Sequence, residues 1–225
     1  AQELDKTEVT RNILQTSELT DTITKIKVKL MQVKDIRGTA NRVTESQVLD
    51  DIELFELKAF SLLVVEIREL LLSANITVVT LPDLEPVVNI LDPEKMRIPH
   101  FYVYDAYSPE LAALRAKMKT LKMDEKTEER VLDQLQFEHT ELEDRIREKL
   151  SEQIHPYKKE INEALVNTAT LDILLAKAQQ TIDMQLCKPE ISTSTTRYIK
   201  IFNPQVKEVL WQEGKKFQAI DIDIE

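Results

Sequence analysis

His100, His139, His155 and Cys187 are the side chains best suited to hold a transition metal or to serve as base and nucleophile. A structural zinc site draws its ligands from short repeated spacings, and these four residues lie too far apart to make that pattern. Cys187 is the only cysteine and has no identifiable activating partner. Neither a metal site nor a catalytic residue is expected, and the histidines read as structural. His100 sits near an extended junction, His139 on a helical stripe and His155 beside a break at Pro156. Asp221 and Asp223 alternate onto one strand face and could hold a cation, although a solvent-facing edge strand accounts for them without one. Asp50, Asp51, Glu53 and Glu56 cluster where a helix amino end favours acids. Tyr102, Tyr104 and Tyr107 could stack on a nucleobase, or simply pack a helix entry. No GxxxxGK[ST] phosphate loop is present in this sequence, so no cofactor is expected on it.

One cluster carries a charge signal. Lys25, Lys27, Lys29, Lys34, Arg37 and Arg42 are interrupted by a single acid, Asp35. Phosphate contacts require local positive charge, so Lys25, Lys27, Lys29, Arg37 and Arg42 are the candidate DNA contacts, against the alternative of a solvated helical face. The chain as a whole opposes tight wrapping by nucleic acid, with 40 acids against 30 Lys and Arg. Residues 124–155 are the most acidic part, with eleven acids to five basic residues.

The elements that would position these residues are helical. The chain has 225 residues, 42% apolar content and only 2 glycines, a composition suited to long helices around a sizeable core. Leu19, Ile23, Ile26, Leu30 and Val33 recur at helical spacing, with Gly38 as the expected stop. Thr44 and Gln47 suggest a capping box that opens a helix over 45–73. Leu62 to Leu72 are apolar around most of its circumference, which makes this the expected central core helix, with Leu63 and Leu70 as structural residues. Pro82 and Pro86 frame a short helix over 84–91. Phe101 to Tyr104 reads as extended, Ser108 as a cap and Pro109 as the first position of the next helix.

Asp124 is a candidate cap for a helix carrying Leu132, Leu135, His139, Leu142, Ile146 and Leu150 in a near-heptad stripe. Beyond Pro156 a second stripe runs through Ile161, Leu165, Thr168, Leu171, Leu175, Ala178 and Ile182. Two stripes separated by a breaker predict an antiparallel pair, or else one long bent helix running back into the core. After a polar stretch over 188–197, a strand over 198–202, a helix over 204–212 and a strand over 217–224 are predicted, with the hydrophobic period changing to two. A β-rich neighbour is expected to follow.

The fold class predicted is mainly α, with a helical core, long antiparallel or kinked lever helices and a short β-containing C-terminal part. Its four segments are 1–44, 45–123, 124–186 and 187–225. No membrane span is expected, and the cytoplasm is the expected location.

The order of four segments resembles a known family. VLDDIELFELKAFSLLVVEIRELL from Val48, LPDLEPVVNILDP from Leu81, FYVYDAYSPELAALR from Phe101 and TLDILLAKAQ from Thr170 are similar to the core and lever region of the MutS family of DNA mismatch-repair ATPases, nearest its MutS-related branches. The likeness covers about residues 45–186, and KIFNPQVKEVLWQEGKKFQAIDIDIE resembles the entry to that family's ATPase domain. It implies a non-catalytic core and lever piece of a DNA repair or recombination ATPase. In the parent, a further domain would use ATP and Mg, engage DNA and pair as a homodimer, with a protein partner possible. The alternative is a helical interaction or dimerisation module that does not touch DNA.

Overall fold

The computed structural model describes residues 2–122, 129–191, 193 and 195–224. These are mainly helical, with one antiparallel two-stranded sheet near the C-terminus. The chain divides into two compact units, residues 17–173 and residues 1–16 with 174–225.

In the larger unit, α2 (Thr20–Leu30) and α3 (Arg37–Thr44) pack against α4 (Asp51–Ser73). The start of α4 departs from the predicted box at Thr44. Asp50 accepts from the Glu53 N–H at 2.9 Å while the Glu53 carboxylate accepts from the Asp50 N–H at 3.0 Å, so both orphan donors are satisfied six residues later than expected. Gly38 does not stop α2, which ends at Leu30; it lies inside α3, where the first turn is set by Asp35 accepting from the Arg37 N–H. α4 buries Leu54, Leu57, Phe60, Val64, Val65, Ile67 and Leu71 around its circumference, each worth about 1.5–3 kcal/mol when fully removed from water. Leu63 and Leu70 are only half-buried. Asn75, with φ of 52°, closes the helix as the Ile76 N–H reaches the Leu71 carbonyl.

α5 (Glu85–Leu91), with Pro86 in its first turn, packs on α4. Residues 101–104 have no strand partner and lead through a 3₁₀ turn, Asp105–Tyr107, to α6 (Pro109–Lys122). Ser108 accepts from the Leu111 N–H at 3.3 Å, which places Pro109 at the first helical position as expected. α6 then packs against α7 (Glu129–Ile154), with Leu111, Met118 and Leu135 buried. The predicted cap at Asp124 lies outside the described residues.

Of the two arrangements expected around Pro156, the bent helix is the one adopted. α7 packs on α6 and α5 rather than alongside α8 (Lys158–Asp183), and the two are joined by a 3₁₀ turn, His155–Tyr157, whose flanking residues keep right-handed helical angles. Pro156 lacks an N–H, so one backbone bond is missing and the path bends without reversing. Ile146, Leu150 and Ile154 of α7 and Ile161, Ala164 and Leu171 of α8 are buried, so over this stretch the expected lever is embedded in the core. Leu142 and Leu165 are half-buried.

In the smaller unit, α1 (Gln2–Leu14) is tied to the end of α8 by a Glu3–Lys177 ion pair, and Asp5 and Glu8 both bind Lys188. Leu175 is 4% exposed. β1 (Thr196–Ile201) and β2 (Ile220–Ile224) flank α9 (Pro204–Gln212), as the change of period predicted. Asn203 caps α9 by accepting from the Gln205 and Val206 N–H groups. Every residue of both strands is exposed.

Candidate functional site

The candidate DNA contacts do not form one free basic surface. Lys29 pairs with Glu66 at 2.5 Å, and Arg42 reaches Glu53 at 3.1 Å and the Val48 carbonyl at 2.6 Å. Arg37 forks onto Asp35, and the Arg37 side-chain and backbone donors together draw the Asp35 carboxyl down to about 2. Lys25 is exposed, while Lys27 lies two positions along α2 and so on another face. The acids that answer Lys29 and Arg42 come from α4.

Asp223 pairs with Arg197, and Asp221 accepts from the Lys200 N–H at 2.7 Å. Both carboxylates are thus engaged within the ribbon. Cys187 is exposed. The tyrosines form an aromatic cluster with Phe101: Tyr104 stands edge-on to Phe101 at 6.0 Å, and the Tyr107 hydroxyl donates to the Ile90 carbonyl. Burial pushes the Tyr107 phenol well above its ordinary value.

The most concentrated chemistry is a buried group that sequence reading passed over. Lys58 projects from α4 into the loop between α5 and α6 and is fully buried. Its ammonium donates to Asp92 Oδ1 at 2.9 Å, to the His100 carbonyl at 2.8 Å and to the Tyr104 hydroxyl at 3.0 Å, which matches its three protons to three acceptors. The Tyr104 hydroxyl in turn donates to the His100 carbonyl. Asp92 also accepts from the Arg97 N–H at 2.7 Å. Burial pushes the Asp92 carboxyl up, but the donors from Arg97 and Lys58 outweigh it and hold the group below its ordinary value. Lys95 and Arg97 have φ of 54° and 51°, so this loop is strained, and the Asp92 and Lys58 contacts fix it. The available signal was a lysine within an otherwise apolar helical run. Snorkelling to solvent would give the same pattern.

A second network begins where that loop enters α6. Arg115 donates to the Val103 carbonyl at 2.8 Å, Asp105 at 2.5 Å, Glu143 at 2.7 Å and His139 Nε2 at 3.1 Å. Glu143 also meets Arg147 at 3.4 Å, and Arg147 forks onto Asp51 at 2.8 and 3.0 Å beside the amino end of α4. The Asp51 carboxylate, with Glu143 and Asp144 adding to it, holds the Arg147 guanidinium even further above its ordinary value. Ser151 accepts from the Leu49 N–H, the His155 ring meets the Val43 carbonyl at 2.9 Å, and Asn162 donates to Thr44. Asn167 donates to the Thr80 carbonyl. α7, the bend and α8 are therefore pinned at successive turns to the segments around α3 and α4.

In these networks the Lys58, Asp92, Arg115 and Arg147 charges all meet partners, and α7 and α8 are tied to the segments around α3 and α4 by directional bonds. None of the described helices is long and apolar enough to cross a membrane. No protein-family model matches the chain, and no curated protein matches it.

Proposed function

We propose that the chain is the core and lever part of a MutS-like DNA repair or recombination ATPase, and that it couples nucleotide-driven change in an ATPase domain to engagement of DNA. The observation that carries this reading is the bent helix α7–α8. It begins in α7 packed against α6, is pinned through its middle to α3 and α4, and continues past residue 173, where the two compact units divide. A helix held in this way resists bending, so displacement at one end is passed along it. The four segments that carry the resemblance support the reading too: they fall on α4, α5, the α6 entry and the later part of α8.

In this scheme a further domain of the parent binds ATP and Mg, the parent acts as a homodimer in the cytoplasm, and no catalytic role falls to this chain. DNA contact by Lys25, Lys27, Lys29, Arg37 and Arg42 is the weaker part of the proposal, since three of the five form ion pairs within the chain. The paired state of that cluster favours a second reading, a helical protein-interaction module.

The two separate by experiment. Glu143→Gln in the parent protein should leave basal ATP hydrolysis intact and reduce its stimulation by DNA about tenfold, because the link between Arg115 and Arg147 is weakened. A parent that hydrolyses no ATP, or whose stimulation is unchanged by the substitution, would remove the coupling role. DNA affinity measured against salt, with the five basic residues neutralised together, assigns the cluster. An unchanged salt slope would exclude it.

A further inference from the structure

His139 belongs to the Arg115 network, and the lever scheme makes no use of it. It lies on α7 facing α6, with its side chain 16% exposed. Arg115 Nε donates to its Nε2 at 3.1 Å. A guanidinium does not give up its protons in a protein, so Nε2 must offer a lone pair and the proton of the neutral ring must sit on Nδ1. Nδ1 is buried and has no hydrogen-bond partner among the described residues. The neutral ring thus serves Arg115 at the cost of an unsatisfied buried donor.

A second partner is already within reach of the same nitrogen. Glu143 Oε1, one turn along α7, lies 3.4 Å from Nε2 and 2.7 Å from Arg115 Nη2. A proton added to the ring goes to Nε2, where the lone pair is. Nε2 then becomes a donor, so it stops accepting from Arg115 and faces Glu143. The surrounding charges permit this. Arg115 of α6 and Arg147 of α7 are met by four carboxylates: Asp105 from the turn before α6, Glu143 and Asp144 from α7, and Asp51 from α4. Glu85, the charged residue of α5, pairs with Arg97, and Glu110, Lys117 and Lys119 of α6 are exposed. Four acids around two guanidiniums leave room for a third positive charge.

From this geometry we infer that His139 is a proton-operated latch between α6 and α7. Neutral, it holds Arg115 across the helix interface. Protonated, it turns to Glu143 within its own helix and releases Arg115 Nε, while Arg115 keeps Asp105 and the Val103 carbonyl on the α6 side. One added proton thereby converts a bond between helices into a bond within one. The latch does not depend on the lever reading.

The test is made by NMR on the full chain between about pH 8 and pH 5, the interval in which histidines ordinarily titrate. Imidazole nitrogen shifts at pH 8 should show the proton on Nδ1 and Nε2 bare. As Nε2 takes up its proton, the protection of the Arg115 Nε–H from solvent exchange, corrected for the intrinsic effect of pH, should fall about tenfold with the same midpoint. His139→Gln supplies an acceptor oxygen that does not titrate, and should abolish the fall. The inference is overturned if Nε2 carries the proton at pH 8, if Arg115 protection is unchanged while the ring titrates, or if the fall persists in His139→Gln. The first two readings come from the unsubstituted chain and stand whether or not the variant folds.

Discussion

The body over 17–173 and the ribbon over 196–224 solve opposite problems. In the body, charge is inside and matched: Lys58 and Asp92 are almost completely buried, yet the Lys58 ammonium and both Asp92 oxygens have partners. In the ribbon, apolar surface is outside and unmatched. Ile199 is 64% exposed, Ile224 54% and Trp211 79%. The strands satisfy each other's backbone through the pairs Thr196–Ile224 and Tyr198–Ile222, but no core stands behind them. A two-stranded ribbon of this kind is marginal alone in water. Cooperative stability should therefore reside in the body, and substitutions should be felt there far more than in the ribbon.

The largest effect is expected at the buried pair. Lys58→Met leaves the Asp92 carboxylate buried without its cation and should cost about 3–5 kcal/mol by urea unfolding. Adding Asp92→Leu should recover much of that loss, since the uncompensated charge is gone. The pair also has a pH signature. Asp92 is held below its ordinary value of 3.8 in the folded chain, so its stabilisation is complete above the unfolded pKa. It is lost as pH falls below that value and through the lower folded pKa. Asp92→Asn should flatten this part of the acid-stability curve, and an unaltered curve would assign the pH dependence to other carboxylates.

Next in size is Arg115→Ala, which removes charged hydrogen bonds joining α6, α7 and the loop at Asp105. A loss of about 2 kcal/mol is expected, with amide exchange quickened in α6 before α4. Smaller and opposite in sign is Thr168→Val, which removes an unpartnered buried hydroxyl and should stabilise the chain by about 1 kcal/mol. Last comes Trp211→Ala in α9, expected to change unfolding of the body by less than about 0.5 kcal/mol. A change as large as that at Lys58 would mean that ribbon and body unfold as one.

Local chemistry was readable from the sequence where one or two neighbouring residues decide it. Pro109 after Ser108, the helix predicted from residue 204 and the alternation at Ile220 to Ile224 all fall where the structure places their elements. The start of α4 was misread because Thr44 with Gln47 and Asp50 with Glu53 both have capping spacing, and only packing of α3 on α4 selects the later one. Gly38 was taken for a stop, but a glycine at an exposed position in the first turn of α3 carries little penalty, and a Cβ there would meet nothing within 4 Å. The bend at Pro156 could not be separated from a reversal because both arrangements require the same two apolar stripes. The ion networks were the least legible part. Lys29 finds Glu66, Arg147 finds Asp51 and Lys58 finds Asp92 across long stretches of chain, which no periodicity reports.

The rigidity of α7–α8 across the bend is the central claim, and a distance across Pro156 tests it most directly. Glu141 and Glu163 are exposed on either side and can be replaced by cysteine for spin labels, with the exposed Cys187 changed to serine. The account predicts a single narrow distance distribution by pulsed electron paramagnetic resonance, unchanged when the parent protein binds ATP. A broad distribution, or one that splits on nucleotide binding, would show a joint at Pro156 and contradict a lever that moves as one piece.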